Sequence, residues 1–326
     1  MGKQIKVLPI ADESFGVRSM CTLVETADTK ILLDASAAVA PTRDGYPPHP
    51  REYQALQLCR EKINTAAQNA DVLTISHYHF DHHTPSFTDW FSCWSSDEQA
   101  KTVYTNKLVL AKSYRSMVNA SQRQRGWVFN KTGGAVAKTV EVADDKVFTF
   151  GETTIKFSDP VFHGSENSDL GWVLMTTIQA GSERVLFTSD VQGPMFTPTL
   201  QKILVEKPQL VVVGGPPTYL VGFKVKKEHI QTGLQNLQTL VENVPVTVLG
   251  HHLFRDVNWQ SAYEPMVDCA QNVGNKVYTA ADYAGKENNF LEYRRRQLFN
   301  VEPPSLEFNN WLSLPVQKRE KIKPPI

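Results

Sequence analysis

A short segment with the sequence HYHFDH, at 77–82, carries three imidazoles and one carboxylate directly after the mainly apolar run at 71–76. A chain that leaves a strand with this H-x-H-x-D-H spacing can direct its side chains at two adjacent metal ions. One ion would take His77 and His79, and the second would take Asp81 and His82. Neutral imidazole and carboxylate suit Zn²⁺, with Fe or Mn as alternatives. A polar loop that merely ends a strand is the competing interpretation, and such dense packing of ligand types disfavours it.

Two metal ions need more than four protein ligands, and three later segments end in suitable residues. His163 follows a strand-like stretch, Asp190 ends the run VLFTSD, and His251 and His252 end the run VTVLGHH. Taken singly, each is more often an ordinary polar residue at a strand end. Their order along the chain is what makes them candidate ligands.

The series H-x-H-x-D-H, His, Asp, His resembles the five-motif ligand set of the metallo-β-lactamase-fold superfamily, over about residues 5–283. The resemblance implies two ligand groups joined by a bridging carboxylate: His77, His79 and His163; Asp81, His82 and either His251 or His252; and Asp190 between them. His251 is favoured over His252 because the first residue beyond a buried strand is the better held.

Three segments around these ligands, SDVQGP, GGPPTYL and GHHLFRD, resemble a little-characterised branch of the superfamily seen largely in archaea. Gly250 departs from the pattern, since an acidic residue is expected before the histidine pair. Asp81 and His252 are the candidate catalytic residues, with His252 either a hydrogen-bond donor beside the metals or a general acid. Arg255 and Tyr219 are candidate substrate contacts.

Two divalent ions a few ångströms apart lower the pKa of a shared water to about 7, which predicts hydrolysis by a hydroxide held between them. The leading hypothesis is a dinuclear-metal hydrolase, with zinc the favoured metal, that acts on a phosphodiester or another anionic substrate. A hydrolase of small esters, thioesters or lactones is the alternative. A metal- or nucleic-acid-binding protein without turnover is a third, which the complete ligand set disfavours.

A basic segment at 101–138 supports an anionic substrate such as RNA or DNA. It holds eight Lys and Arg residues and no Asp or Glu, with aromatic residues interleaved. Basic side chains attract phosphates and aromatic rings stack on bases. Arg123 and Arg125 are the candidate contacts. The competing interpretation is a solvated helix face balanced by acidic residues elsewhere.

The pattern of apolar residues predicts a mixture of strands and helices, and the resemblance implies an α+β fold, a four-layer αβ/βα sandwich of two mixed β-sheets flanked by helices. Strands are expected at 5–10, 20–25, 30–34 and 246–249, a strand buried on both faces from 210, and helices at 51–68 and 228–241. The expected domain covers residues 1–300, with a basic insertion at about 84–140 and a Pro/Lys-rich extension at 301–326. His49, in a proline-rich loop, is expected at the surface.

Overall composition identifies no partner, because 34 Lys and Arg balance 34 Asp and Glu. The four cysteines are scattered without a C-x-x-C pair, which favours a reducing, cytoplasmic location. No segment approaches the roughly 18 apolar residues of a membrane span, and the first residues do not resemble a signal peptide. No feature of the sequence specifies an oligomeric state.

Overall fold

Two β-sheets lie face to face in the computed structural model, which describes residues 4–326. The six-stranded sheet contains, in spatial order, β1 (Lys6–Pro9), β2 (Thr22–Glu25), β3 (Lys30–Leu33), β4 (Val72–Ile75), β5 (Leu108–Ala111) and β6 (Thr139–Val142). Its first three strands are antiparallel, and β3 to β6 are parallel. The sheet is therefore mixed.

The seven-stranded sheet consists of β7 (Val147–Phe150), β8 (Thr153–Phe157), β11 (Thr176–Ala180), β12 (Glu183–Phe187), β13 (Leu210–Gly214), β14 (Val246–Gly250) and β15 (Lys276–Tyr278). Their spatial order is β15-β14-β13-β12-β11-β8-β7. A separate ribbon pairs β9 (Val161–Phe162) with β10 (Trp172–Val173). Strands β12 to β15 are parallel, so their carboxyl ends meet at one edge of the sheet.

Helices cover the outer faces of both sheets. The α-helices are α1 (Pro50–Asn69), α2 (Asp97–Tyr104), α3 (Ala120–Lys131), α4 (Gly133–Val136), α5 (Thr197–Val205), α6 (Lys227–Asn243), α7 (Gln260–Asn272), α8 (Ala280–Tyr283), α9 (Arg295–Val301), α10 (Leu306–Leu312) and α11 (Val316–Arg319). Short 3-10 helices occupy Glu13–Phe15, Thr218–Leu220, His251–Arg255 and Glu292–Arg294.

Alternation along the strands explains the layers. In β13, Leu210 and Val212 face the core between the sheets, whereas Val211 and Val213 pack with residues of α5 and α6. Leu32 of β3 likewise packs with apolar residues of α1, while its neighbours on the strand face the other sheet. Successive side chains of a strand point to opposite faces of the sheet, so each sheet buries apolar residues on both of its faces. The predicted four-layer α+β sandwich is confirmed.

The segment at 84–140, interpreted from the sequence as a basic insertion, contributes β5 and β6 to the six-stranded sheet and is part of that sheet. Several of its basic residues have structural partners. The buried Lys112 pairs with Asp144 at 2.7 Å, and the exposed Lys101 pairs with Asp97 at 2.6 Å. Lys107 donates to backbone oxygens at the end of α1. Lys112 and Lys107 are therefore engaged in structural contacts, whereas Lys101 remains at the surface.

His49 is buried, so the expectation that it lies at the surface is wrong. Its Nδ1 accepts a hydrogen bond from the backbone N–H of Arg51, and Glu52 accepts one from the N–H of His49, which caps the start of α1. Its Nε2 lies 2.9 Å from the backbone oxygen of Glu302. The chain near the C-terminus therefore covers this histidine.

Residues 301–326 pack on the helix layer of the six-stranded sheet. The rings of Phe308 and Trp311 lie 5.9 and 5.6 Å from that of Tyr53, measured between centroids. The indole N–H of Trp311 donates to the backbone oxygen of Ile322 at 2.9 Å. The Pro/Lys-rich extension is thus held by a buried aromatic cluster.

Trp311→Ala is expected to lower the free energy of unfolding by about 3–5 kcal/mol, because it empties a buried aromatic site. Chemical denaturation measures the change. Val316→Ala, at an exposed position of α11, is the matched control and should change stability by less than about 0.5 kcal/mol. Equal stability of both variants would contradict a packed C-terminal segment.

None of the helices formed by residues 4–326 is long and apolar enough to cross a membrane. The four cysteines are free thiols, and three of them are buried.

Candidate metal centre

Strand ends from both sheets deliver the candidate ligands to one place. His77 lies two residues beyond β4, Asp190 lies three beyond β12, and His251 directly follows β14. The two sheets meet here through the hydroxyl groups of Ser76 and Ser189, whose Oγ atoms are 2.6 Å apart. Residues that are distant in the sequence therefore share one edge of the sandwich.

The first ligand group consists of His77, His79 and His163, whose ligand atoms lie within 4.8 Å of one another. The Nε2 of His163 is 3.1 Å from Nδ1 of His79 and 3.2 Å from Oδ2 of Asp190. Zinc–nitrogen bonds of 2.0–2.1 Å in a tetrahedral site place ligand atoms about 3.3 Å apart. The spacing therefore suits a single ion.

The second group consists of Asp81, His82 and His251, again with ligand atoms within 4.8 Å of one another. The Nε2 of His251 is 3.7 Å from Oδ2 of Asp81 and 3.2 Å from Oδ2 of Asp190. Because the same Asp190 oxygen also approaches His163, this carboxylate lies between the two groups.

Orphaned polar atoms mark the centre. Nε2 of His77, Nε2 of His82 and Oδ1 of Asp190 are buried and have no hydrogen-bond partner among residues 4–326. The other ring nitrogen of each of these two histidines is hydrogen-bonded: Nδ1 of His77 is 2.9 Å from Ser76 Oγ, and Nδ1 of His82 is 2.8 Å from Asp34 Oδ2. Burying a polar atom without a partner costs about 1–3 kcal/mol. The donor set therefore fits divalent ions.

The protonation states of the first ligand group and of Asp190 favour metal binding as well. Burial, reinforced by neighbouring histidines, lowers the pKa of His77 well below its usual value. Burial is also the main cause that lowers the pKa of His79 to about 3 and of His163 to about 4. Burial alone would raise the pKa of Asp190, but His252 and the other nearby imidazoles hold it well below its usual range. At neutral pH these groups are neutral imidazoles and a carboxylate, the forms that bind metal.

Asp34, directly after β3, orients the loop at 76–82 that carries four of the candidate ligands. Its Oδ1 accepts a hydrogen bond from the backbone N–H of Ser76 at 2.8 Å. Its Oδ2 lies 2.8 Å from Nδ1 of His82 and 3.1 Å from the hydroxyl group of Ser189. Such a partner fixes the tautomer of an imidazole and leaves Nε2 to the metal.

Sequence reasoning missed Asp12 and Glu13, which lie near the N-terminus. Glu13 Oε1 is 3.1 Å from Nδ1 of His251 and accepts two hydrogen bonds from Arg255. A Cβ atom at Gly250 would lie 2.2 Å from Oδ2 of Asp12, so a side chain there would collide with this carboxylate. The acidic partner expected beside the histidine pair therefore comes from a distant segment, which explains the glycine.

His252 lies beside the second group at the entrance of the site. Its Nε2 is 3.0 Å from Oδ2 of Asp190, and its Nδ1 is 3.1 Å from both the Tyr219 hydroxyl and Nη1 of Arg255. Arg255 can only donate, so Nδ1 accepts and the ring proton resides on Nε2. Burial and Arg255 lower the pKa of His252 to about 4. His252 also forms a potential ligand group with Asp190 and His251.

A cleft of about 370 Å³ opens onto these residues. Its floor includes His79, Asp81, His163, Asp190 and His252, and its walls include Arg18, Arg125, Arg255, Phe80 and Cys93. Arg18 is paired with Glu292, and Arg255 with Glu13. Arg125 lies over the Phe80 ring at 4.3 Å and forms no ion pair with the described part of the chain.

The remaining substrate-binding candidates lie outside this cleft. Arg123 is exposed on α3, two residues from Arg125. Tyr219 does not line the cleft and instead supports the ring of His252. The structure thus brings the seven predicted ligands together and separates the two arginines of α3.

The architecture and the clustered ligands define a metallo-β-lactamase fold. The metallo-β-lactamase-fold protein YhfI from Bacillus subtilis superimposes with a TM-score of 0.51 and 16% identity, over 87% of this chain and 97% of that protein. CmlA, a diiron β-hydroxylase from Streptomyces venezuelae, superimposes with a TM-score of 0.50 and 12% identity, over 86% of this chain and 53% of CmlA.

The chain belongs to the UPF0282 family, whose matching members come from archaea. It is 37% identical over 308 residues to the UPF0282 protein of Korarchaeum cryptofilum, covering 94% of this chain and 99% of that protein. The Methanopyrus kandleri protein is 40% identical over 298 residues, covering 91% and 100%. No family model matches the chain.

Proposed function

We propose that the chain is a dinuclear-metal hydrolase, with zinc the favoured metal and Fe or Mn as alternatives, acting on a phosphodiester or another anionic substrate. The orphaned, converging ligand atoms carry the proposal. The assigned ligands are His77, His79 and His163 for one ion, Asp81, His82 and His251 for the other, and Asp190 for both. When bound, such ions lower the pKa of a coordinated water toward about 7 and offset charge on the attacked group.

Arg125 supports an anionic substrate more specifically than the basic segment does. The other two arginines of the cleft are engaged by Glu13 and Glu292, so their charge is largely offset. Arg125 retains its charge beside the ligand residues His79 and Asp81. A guanidinium in this position can donate two hydrogen bonds to phosphate oxygens.

The proposed roles of the two catalytic candidates follow from their position on the cleft. Asp81 borders the cleft, and neighbouring His82 and His251 hold its pKa below the usual range despite burial, so the carboxylate can orient the attacking water. The Nε2–H of His252 lies 3.0 Å from Oδ2 of Asp190, and it would donate to a substrate oxygen when Asp190 binds metal instead, while Tyr219 and Arg255 hold the ring through Nδ1. A donor aimed at developing charge stabilises the transition state.

Metal analysis combined with a substrate screen tests this function. The purified protein is expected to contain two divalent ions per chain and to hydrolyse bis-p-nitrophenyl phosphate faster than a thioester or a lactone. A thioester or lactone rate that exceeds the phosphodiester rate would shift the assignment to a small-ester hydrolase. Metal-free protein that binds no added zinc would refute the metal centre.

Arg125→Gln is expected to raise the KM for a phosphodiester at least about tenfold, because it removes a charged hydrogen-bond donor from the cleft. Arg123→Gln, on the same helix but outside the cleft, is the matched control and should leave KM within about twofold. Equal effects of the two substitutions on KM would contradict a role for Arg125 in the cleft.

Binding of single-stranded RNA to the unmodified protein, measured from about 50 mM salt upward, should weaken as the salt concentration rises.

A further inference from the structure

A second cavity of about 370 Å³ adjoins the cleft at the candidate metal ligands. We call it the side pocket, and it is bordered by Phe80, His83, Phe87, Ser121, Gln124, Arg125, Val128 and Phe129, with further residues of 84–86 and 132. Phe80 and Arg125 line both cavities. The two therefore share one wall, formed by an aromatic ring and a guanidinium.

The side pocket and the cleft are both bordered by residues of one loop, at 79–83. His79 and Asp81 border the cleft, Phe80 between them borders both cavities, and His83 borders the side pocket. Nδ1 of His83 donates to the backbone oxygen of His79 at 3.1 Å. A ligand that fills both cavities would thus contact successive residues of one short loop.

Aromatic rings surround the side pocket. The Phe80 ring lies 5.1 Å from that of Phe87 and 5.4 Å from that of His83, measured between centroids. Phe87 is 44% exposed and Val128 is 37% exposed, although both are large apolar residues. A planar ligand that stacks on these side chains would cover apolar surface that is exposed beside the cavity.

Polar groups accompany the rings. Ser121 and Gln124, both exposed on α3, place a hydroxyl and an amide at the rim, and Ser86 adds a second hydroxyl. An amide side chain both donates and accepts, so it can pair with the hydrogen-bonding edge of a purine or pyrimidine. A purely aliphatic group would form no hydrogen bond with these polar atoms.

We infer that the side pocket binds the nucleobase of a nucleotide whose phosphate lies against Arg125 and the metal centre. The inference rests on the proposed function and specifies its substrate class. Aromatic walls stack the base, the rim amide pairs with its edge, and the shared guanidinium contacts the phosphate where the two cavities meet. An acyl group is the competing occupant.

Equilibrium binding of adenosine 5′-monophosphate and of ribose 5-phosphate to the full-length protein, followed by calorimetry, tests the inference without requiring turnover. The nucleotide is expected to bind at least tenfold more tightly, a difference of about 1.4 kcal/mol, because only it carries a base. Val128→Trp fills the pocket and Gln124→Leu removes the amide. Both should reduce this ratio, Val128→Trp to about one.

Val147→Trp is the matched control, because Val147 is an exposed valine on β7 that does not border the side pocket. This variant should keep the full preference for the nucleotide. Equal affinity of the unmodified protein for both ligands would overturn the inference. So would hexanoate binding that exceeds nucleotide binding and is lost in Val128→Trp, which would assign the pocket to an acyl group. If the nucleotide preference holds but no phosphodiester is hydrolysed, the side pocket stands and the hydrolase proposal fails.

Discussion

Asp190→Asn is expected to remove most of the bound metal and to lower kcat by at least about 100-fold. Oδ2 of Asp190 lies 3.0–3.2 Å from the imidazoles of His163, His251 and His252, and its Oδ1 is buried without a partner. An amide of the same shape has no negative charge to place between two cations. Metal content per chain and steady-state rates measure the loss.

Asp144→Asn provides the matched control, because Asp144 is also a carboxylate with a buried partner, Lys112, but it is not among the candidate ligands. It is expected to reduce stability while retaining both ions. If Asp190→Asn keeps two ions and an unchanged rate, Asp190 is only a polar residue at a strand end, and the shared-carboxylate arrangement must be abandoned.

His251→Ala and His252→Ala are expected to have different effects. His251 is fully buried and its Nε2 belongs to the group of Asp81 and His82, so its loss should reduce metal content from two ions to one. His252 borders the cleft, so its loss should retain both ions and lower kcat by about 100-fold, as removal of a positioned hydrogen-bond donor does.

His229→Ala, on α6 away from the centre, should change neither metal content nor rate. Loss of an ion only in His252→Ala would exchange the proposed roles of His251 and His252. The comparison therefore decides which of two adjacent histidines is a ligand, a question that the sequence leaves open.

Local patterns in the sequence were sufficient to predict the main strands and helices and the types of candidate ligand, and the resemblance to a known superfamily supplied the fold class. Alternating or continuous apolar runs predicted the strands because each strand must bury its own side chains. The dense HYHFDH segment and the histidines and carboxylate at later strand ends indicated metal-binding chemistry because few other uses explain so many ligand groups. Both signals are contained within short stretches of chain.

The surroundings of the ligands depended on the tertiary structure. Glu13 supports His251 from 238 residues away, and Asp12 occupies the space that a side chain at Gly250 would need. Contacts between such distant residues leave no periodic pattern in the sequence. The burial of His49 under the C-terminal segment is undetectable from the sequence for the same reason.

The position of charge relative to the cleft was also decided by the tertiary structure. By composition, Arg123 and Arg125 are equivalent members of one basic segment. Residues two apart on a helix point in different directions, so packing of α3 beside Phe80 places Arg125 in the cleft and leaves Arg123 in solvent. The sequence determined that candidate metal ligands and basic residues were present, whereas the packing of α3 determined which arginine faces those ligands.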